Sequence, residues 1–186
     1  MNINWRKRRG MTLSEVLIAV CILITAVSAL LLAYANCFIL ADSVRNTNIA
    51  TNFAQGVIEG LRNYSFPTDA NADGKPDITN IVITHDNTDY YFVQGSSGTF
   101  LYRCSFPIAD ILPSGRCWIY IDYDYDNDGV GETDLLELTV SVCWKQKGRV
   151  IGEDKDLDGV LDSGEDANGN GMIDSSVELK TRWTNR

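Results

Sequence analysis

The sequence predicts an α+β protein in which a long N-terminal α-helix, transmembrane in its first half and amphipathic in its second, packs against an antiparallel β-sheet. Three observations predict it. Residues 16–35 form a run of 20 residues without a charge, the length a helix needs to cross the hydrocarbon core of a bilayer. Beyond residue 41 the apolar positions return at helical spacing. From residue 78 onward the chain breaks into short alternating runs divided by Gly, Asp and Asn, the pattern of strands joined by turns.

The N-terminal element comes first. Arg6, Lys7, Arg8 and Arg9 precede the apolar run, and basic residues on that side hold it with the N-terminus inside. A cleaved secretory signal has a shorter apolar core that ends in a small-residue cleavage site. The one acid, Glu15, sits just inside the leading edge of this long core. A carboxylate there is costly in lipid by a few kcal/mol and calls for a specific partner.

Gly10, Met11, Thr12, Leu13 and Glu15 match, residue by residue, the motif of the prepilin family: a short basic leader, a Gly, a hydrophobic residue, Thr-Leu and a Glu five residues past the Gly. The chain thus resembles type IV prepilins and pseudopilins. Met11 stands where major pilins usually carry Phe, and Met-Thr-Leu-x-Glu-Val is more similar to minor pilins of the PilV/GspI kind. The resemblance implies cleavage between Gly10 and Met11 by a prepilin peptidase, N-methylation of Met11, and a type IV pilin-like fold. It also implies that Glu15 meets the free N-terminus of a neighbouring pilin or pseudopilin subunit. The protein would sit in a bacterial inner membrane as a single-pass chain with its N-terminus cytoplasmic. After assembly it would belong to a periplasmic or extracellular filament. The domains expected on this reading are a leader at 1–10, a transmembrane or filament-core half-helix at 11–41, an amphipathic half-helix at 42–65, and an exported head at 66–186.

The helix is expected to continue from Met11 to about Tyr64, since no proline interrupts it. Such a helix is about 75 Å long at 1.5 Å per residue. Ala50, Phe53, Ala54, Val57, Ile58 and Leu61 make one stripe, with Asn52, Gln55, Glu59 and Arg62 elsewhere. Pro67 ends it and pushes Phe66 toward an extended conformation. Strands are expected at 78–84, 89–94, 99–106, 118–123, 135–144 and 177–183. In the fifth, Leu136, Leu138, Val140 and Val142 share one face and Glu137, Thr139 and Ser141 the other. The segment from Val140 to Arg149, followed later by Val177 to Thr181, also resembles the closing hairpin of PilV-type minor pilins, split here by an insertion at 153–176.

That insertion carries the most specific chemistry in the head. A twelve-residue calcium loop places oxygen ligands at positions one, three, five, nine and twelve, a carbonyl at seven and Gly at six for the turn. Asp154, Asp156, Asp158, Asp162 and Glu165 fill the side-chain positions, Val160 supplies the carbonyl, and Gly159 the turn. A second copy follows at once with Asp166, Asn168, Asn170, Gly171, the carbonyl of Met172, and Asp174; Val177 stands at its twelfth position, one before Glu178. No helix fits between the two loops, so they are similar to tandem Asp-rich calcium repeats of extracellular proteins rather than to a paired helix-loop-helix sensor. Weaker partial copies are Asp69, Asn71, Asp73, Lys75 and Asp77, and Asp124, Asp126, Asp128, Val130 and Glu132. Both lack the twelfth acid, and Asp, Asn and Gly are ordinary turn residues. Calcium is the cofactor expected.

Composition bounds the rest. With 16 basic and 25 acidic residues the formal charge is −9, and loss of the leader makes the chain more acidic still, which argues against a nucleic-acid surface. Cys21 and Cys37 lie on the apolar helix, where they act as small hydrophobes. Cys104 and Cys117 bracket a proline-containing segment that a disulfide would staple in an oxidising compartment; pairing of either with Cys143 also stays open. His85 reads as a turn residue, and Trp118, Trp144 and Trp183 as strand packing. No nucleophile–base constellation or phosphate-cradling Gly loop is present, so no enzymatic activity is expected. The function expected is a structural one, a minor pilin or pseudopilin with a calcium-stabilised head. The alternative is a membrane-anchored, calcium-dependent binding or adhesion module that does not polymerise, and a Glu15→Ala variant separates the two.

Overall fold

The structure is a computed structural model that describes residues 11–69, 76–95, 101–123 and 135–184. The leader, including Gly10, and most of the two weaker acidic connections lie outside them. The chain divides into two compact units, one ending at Val44 and the other beginning at Arg45.

Helix α1 (Leu13–Arg62) is 50 residues long and enters both units. Its first turn is capped reciprocally. The Thr12 N–H donates to Glu15 Oε2 (2.8 Å) and the Glu15 N–H to Thr12 Oγ1 (3.4 Å), the arrangement of a capping box that satisfies two donors the helix leaves free. In the first unit the helix has no covering: residues 11–42 are exposed throughout, and it is long and apolar enough to cross a membrane. Within this run the Thr25 hydroxyl is bonded back to the Cys21 and Ile22 carbonyls, so it presents no unpaired donor to lipid.

In the second unit the helix buries Ala50, Ala54, Ile58 and Leu61, the stripe expected from their spacing. They join a core with Phe106, Cys117, Ile119, Ile121, Leu136, Leu138, Val140 and Val142 of the sheet. The helix stops at Arg62, short of Tyr64, because Asn63 and Tyr64 donate to Gly60 and Leu61, tightening the last turn to three-residue bonds. Pro67 therefore lies in the connection beyond it.

The strands are β1 (Val82–His85), β2 (Thr88–Tyr91), β3 (Val93–Gln94), β4 (Leu101–Pro107), β5 (Arg116–Asp122), β6 (Leu135–Gln146), β7 (Arg149–Ile151) and β8 (Val177–Thr184). The first two form a separate hairpin closed by Asp86 and Asn87, both at positive φ. The others make one antiparallel sheet in the order β3-β4-β5-β6-β7, with β8 also paired to β6. Thus β6 and β8 are the split hairpin read from the sequence, in register from Leu135↔Thr184 to Val142↔Val177.

The structure departs from the sequence reading at three further places. The strand expected at 89–94 is divided at Phe92, which is buried in the core, into β2 and β3, which belong to different sheets. Residues 78–80 form a 3₁₀ turn instead of opening a strand, since Ile78 and Ile81 both point into the core at a three-residue interval. β7, a three-residue strand after the Lys147-Gly148 turn, falls below the length at which alternation is readable.

Candidate metal centre

The insertion leaves the sheet after β7 and returns as β8, and it folds back over the face of β5 and β6 that points away from the main core. A second apolar cluster holds it there. Trp118, Tyr120, Cys143 and Ile173 are its buried members, with Leu101, Leu157, Leu161 and Met172 packed around them. Leu161 and Ile173 occupy the eighth position of their respective loops. Thr139, Ser141 and Cys143 are buried for this reason, although the strand pattern places them on the more polar face.

In the first loop the acidic side chains are turned inward by the backbone. Asp158 N–H donates to Asp156 Oδ1 (3.2 Å) and Val160 N–H to Asp158 Oδ1 (2.7 Å). Glu165 is buried and accepts from Lys155 N (2.7 Å) and Asp162 N (3.2 Å), one on each oxygen. One carboxylate oxygen from each of Asp154, Asp156 and Glu165 lies within 4.8 Å of the other two, and the same holds for Asp156, Asp158 and Asp162. The five side-chain ligands predicted for this loop thus fall into two overlapping triads that share Asp156.

Asp154 is the residue that the fold treats differently. It is 0% exposed; its Oδ2 accepts from the Trp118 indole N–H at 2.9 Å, while its Oδ1 is buried with no hydrogen-bond partner. Burial raises its pKa and the Glu165 carboxylate adds to that, opposed by the Trp118 bond, the nearby Leu157 backbone N–H and the Arg116 charge. A buried carboxylate oxygen without a partner is costly, and an oxygen-only ligand set of this density suits a hard divalent cation.

The sheet holds the loop at two further points: Arg116 Nε donates to the Leu157 carbonyl (2.9 Å) and Ser105 Oγ to the Gly159 carbonyl (3.0 Å). Leu157 and Gly159, the fourth and sixth positions, have φ of 61° and 82°.

The second loop repeats this geometry. Gly169 and Gly171, again fourth and sixth, both have φ of 76°. Asn168 Oδ1 accepts from Asn170 N (3.0 Å) and Asn170 Oδ1 from Met172 N (2.8 Å), the same two steps as in the first loop. Asp166 accepts from the N–H groups of Gly169, Asn170 and Gly171. It differs at its far end, where the side-chain amides of Asn168 and Asn170 reach Asp174. Val177, at the twelfth position, is buried in the main core. Burial raises the pKa of Glu178; Lys180, whose Nζ sits 3.3 Å away, opposes this and the neighbouring Asp174 adds to it. A clasp closes the double loop: Glu153 N donates to the Asp174 carbonyl and Asp174 N to Glu153 Oε2.

Of the weaker candidates, Asn71, Asp73, Lys75, Asp124, Asp126, Asp128, Val130 and Glu132 lie outside the described residues. Asp69 and Asp77 are described, and Asp77 N donates to the Thr68 carbonyl across their connection. The head cysteines Cys104, Cys117 and Cys143 are buried and unbridged in the structure. In the β4–β5 register Cys104 faces Ile119 and Cys117 faces Phe106, so the two are diagonal neighbours, roughly 7–8 Å apart and past bridging range. Cys143 belongs to the other face of the sheet.

Sequence reasoning did not single out Ser105, Arg116, Trp118 and Tyr120 as site residues. Each is an unremarkable strand residue until the insertion folds onto it. Against protein-family models, curated proteins and solved structures, the chain matches none.

Proposed function

We propose that the chain is a structural subunit, a minor type IV pilin or type II secretion pseudopilin, whose head is stiffened by calcium bound in residues 154–165. The observation that carries the filament reading is helix α1: unbroken for 50 residues, wholly exposed and apolar where lipid or a filament core would surround it, and buried on one stripe where a sheet covers it. Gly10, Met11 and Glu15 supply the processing motif at its start. The calcium reading is supported by the converging carboxylates and the orphaned Asp154 oxygen. Prepilin peptidase and sibling subunits are the partners, and the inner membrane is the site before assembly.

Mass spectrometry of the native protein is expected to find methylated Met11 as the first residue, and Gly10→Ala to leave the leader attached; an intact leader on the native protein overturns the reading. Glu15→Ala is expected to abolish filament incorporation. Its loss of a capping bond costs only about 1 kcal/mol, too little to unfold a helix this long, so incorporation of the variant would favour an anchored module that does not polymerise.

A further inference from the structure

We propose that Trp118 is the positioning residue of the cation site at 154–165, its indole N–H holding one oxygen of Asp154 so that the other is presented to the ion. This rests on the calcium reading above and adds the group that orients the first ligand and couples the loop to the sheet.

An indole N–H donates and cannot accept. It fixes the rotation of the Asp154 carboxylate at 2.9 Å without competing as a ligand. The oxygen it leaves free is buried without a hydrogen-bond partner, and one carboxylate oxygen each of Asp154, Asp156 and Glu165 lies within 4.8 Å of the other two. Two further carboxylates, of Asp156 and Glu165, beside a buried carboxylate oxygen without a partner favour a cation among them, and a hard divalent ion with oxygen preference suits that set.

The donor is itself immobile. Trp118 is 2% exposed and stacked on Tyr120, with ring centroids 5.9 Å apart and planes 4° from parallel. The Tyr120 hydroxyl in turn accepts from Ile173 N in the second loop (2.7 Å). One rigid aromatic pair on β5 thus sets the first ligand of one loop and the backbone of the other. Ligand-orienting partners of this kind typically control metal affinity by roughly 10–100-fold.

The test uses the full chain in detergent micelles, titrated with calcium and followed by calorimetry and tryptophan fluorescence. Wild type is expected to bind, Asp154→Asn to lose the site, and Trp118→Phe, which keeps the ring stack but not the N–H, to bind that site roughly tenfold or more weakly. Trp144→Phe, in the main core, is expected to leave affinity unchanged. In the double variant Trp144→Phe, Trp183→Phe, calcium is expected still to shift the emission, because Trp118 touches a ligand. Unchanged affinity in Trp118→Phe overturns the proposal. If that variant does not fold, an emission that ignores calcium in the double variant overturns it instead. Failure of wild type to take up calcium at all removes the calcium reading itself, a separate outcome from binding that does not depend on Trp118.

Discussion

Of the two glycines in the first acidic loop, Gly164 has nothing within 4 Å of an added Cβ and Gly159 is the confined one. Its φ of 82° is left-handed, and a Cβ there would lie 2.0 Å from Arg116 Nη1 and 2.8 Å from Ser105 Oγ, the two side chains that fasten the loop to the sheet. Gly159→Ala is expected to cost about 1–3 kcal/mol of head stability and to weaken calcium binding with it, read from urea denaturation with and without the ion. Leu157 adopts the same left-handed region at a cost of roughly 1–2 kcal/mol, which its packing against the Trp118 cluster offsets. The head thiols give a second prediction at this scale. Burial pushes Cys104 and Cys143 up to about 12 and Cys117 well above the ordinary 9. Folded values above unfolded ones mean that the stability the neutral thiols contribute is complete below pH 9 and lost as pH rises toward 12. All three are expected to resist iodoacetamide at pH 8 until urea is added, and the urea midpoint to fall above pH 9. Rapid labelling of the native head would show that these thiols are accessible.

The second half of α1 carries two helical glycines, Gly56 and Gly60, and a Cβ at either would meet nothing within 4 Å. Glycine in a helix interior is worse than alanine by about 0.8–1 kcal/mol. Gly56→Ala and Gly60→Ala are therefore each expected to stabilise the head by roughly that amount, measured by thermal unfolding; destabilisation would mean that something packs on that face. Elements like this helix were legible because a repeated period declares them. The stripe from Ala50 to Leu61 repeats at 3.6 residues, and β6 alternates from Leu136 to Val142, so both emerge from local pattern. What stayed hidden depends on contacts distant in the chain. Thr139 and Ser141 read as a polar face, and only the insertion, fastened by Ser105, Arg116 and Trp118, buries them. The ligand spacing of the first loop is written in the sequence, but the hydrogen bond from Trp118 to Asp154 joins residues 36 apart, and no periodicity encodes it. The three residues of β7 and the turn at Ile78–Asn80 are too short to carry a period at all.

At the scale of the whole chain, acidity and stability are one question. The excess of acidic over basic residues is concentrated where Asp154, Asp156, Asp158, Asp162 and Glu165 converge, and carboxylates within 4.8 Å of one another sit well inside the Debye length of about 8 Å at physiological salt. Sodium chloride therefore screens them weakly, whereas a divalent ion among them removes the repulsion and fills the gap at Asp154. At a free calcium concentration a hundred times the dissociation constant, binding to the folded state alone contributes about 2.7 kcal/mol. For a head of this size each kcal/mol moves the midpoint by roughly 2–8 °C. The expected result, in detergent with the full chain, is that chelation lowers the head transition seen in near-ultraviolet circular dichroism by several degrees or more. The helical signal of the first unit, which ends at Val44 and contains none of these ligands, should be unmoved. Raising sodium chloride to 0.5 M, where the Debye length falls to about 4 Å, screens the repulsion in part but supplies no ligand-bound ion, and it is not expected to restore the whole of the lost midpoint. Full recovery in salt alone would mean that the carboxylates need only general screening, and the specific site at Asp154 would be refuted.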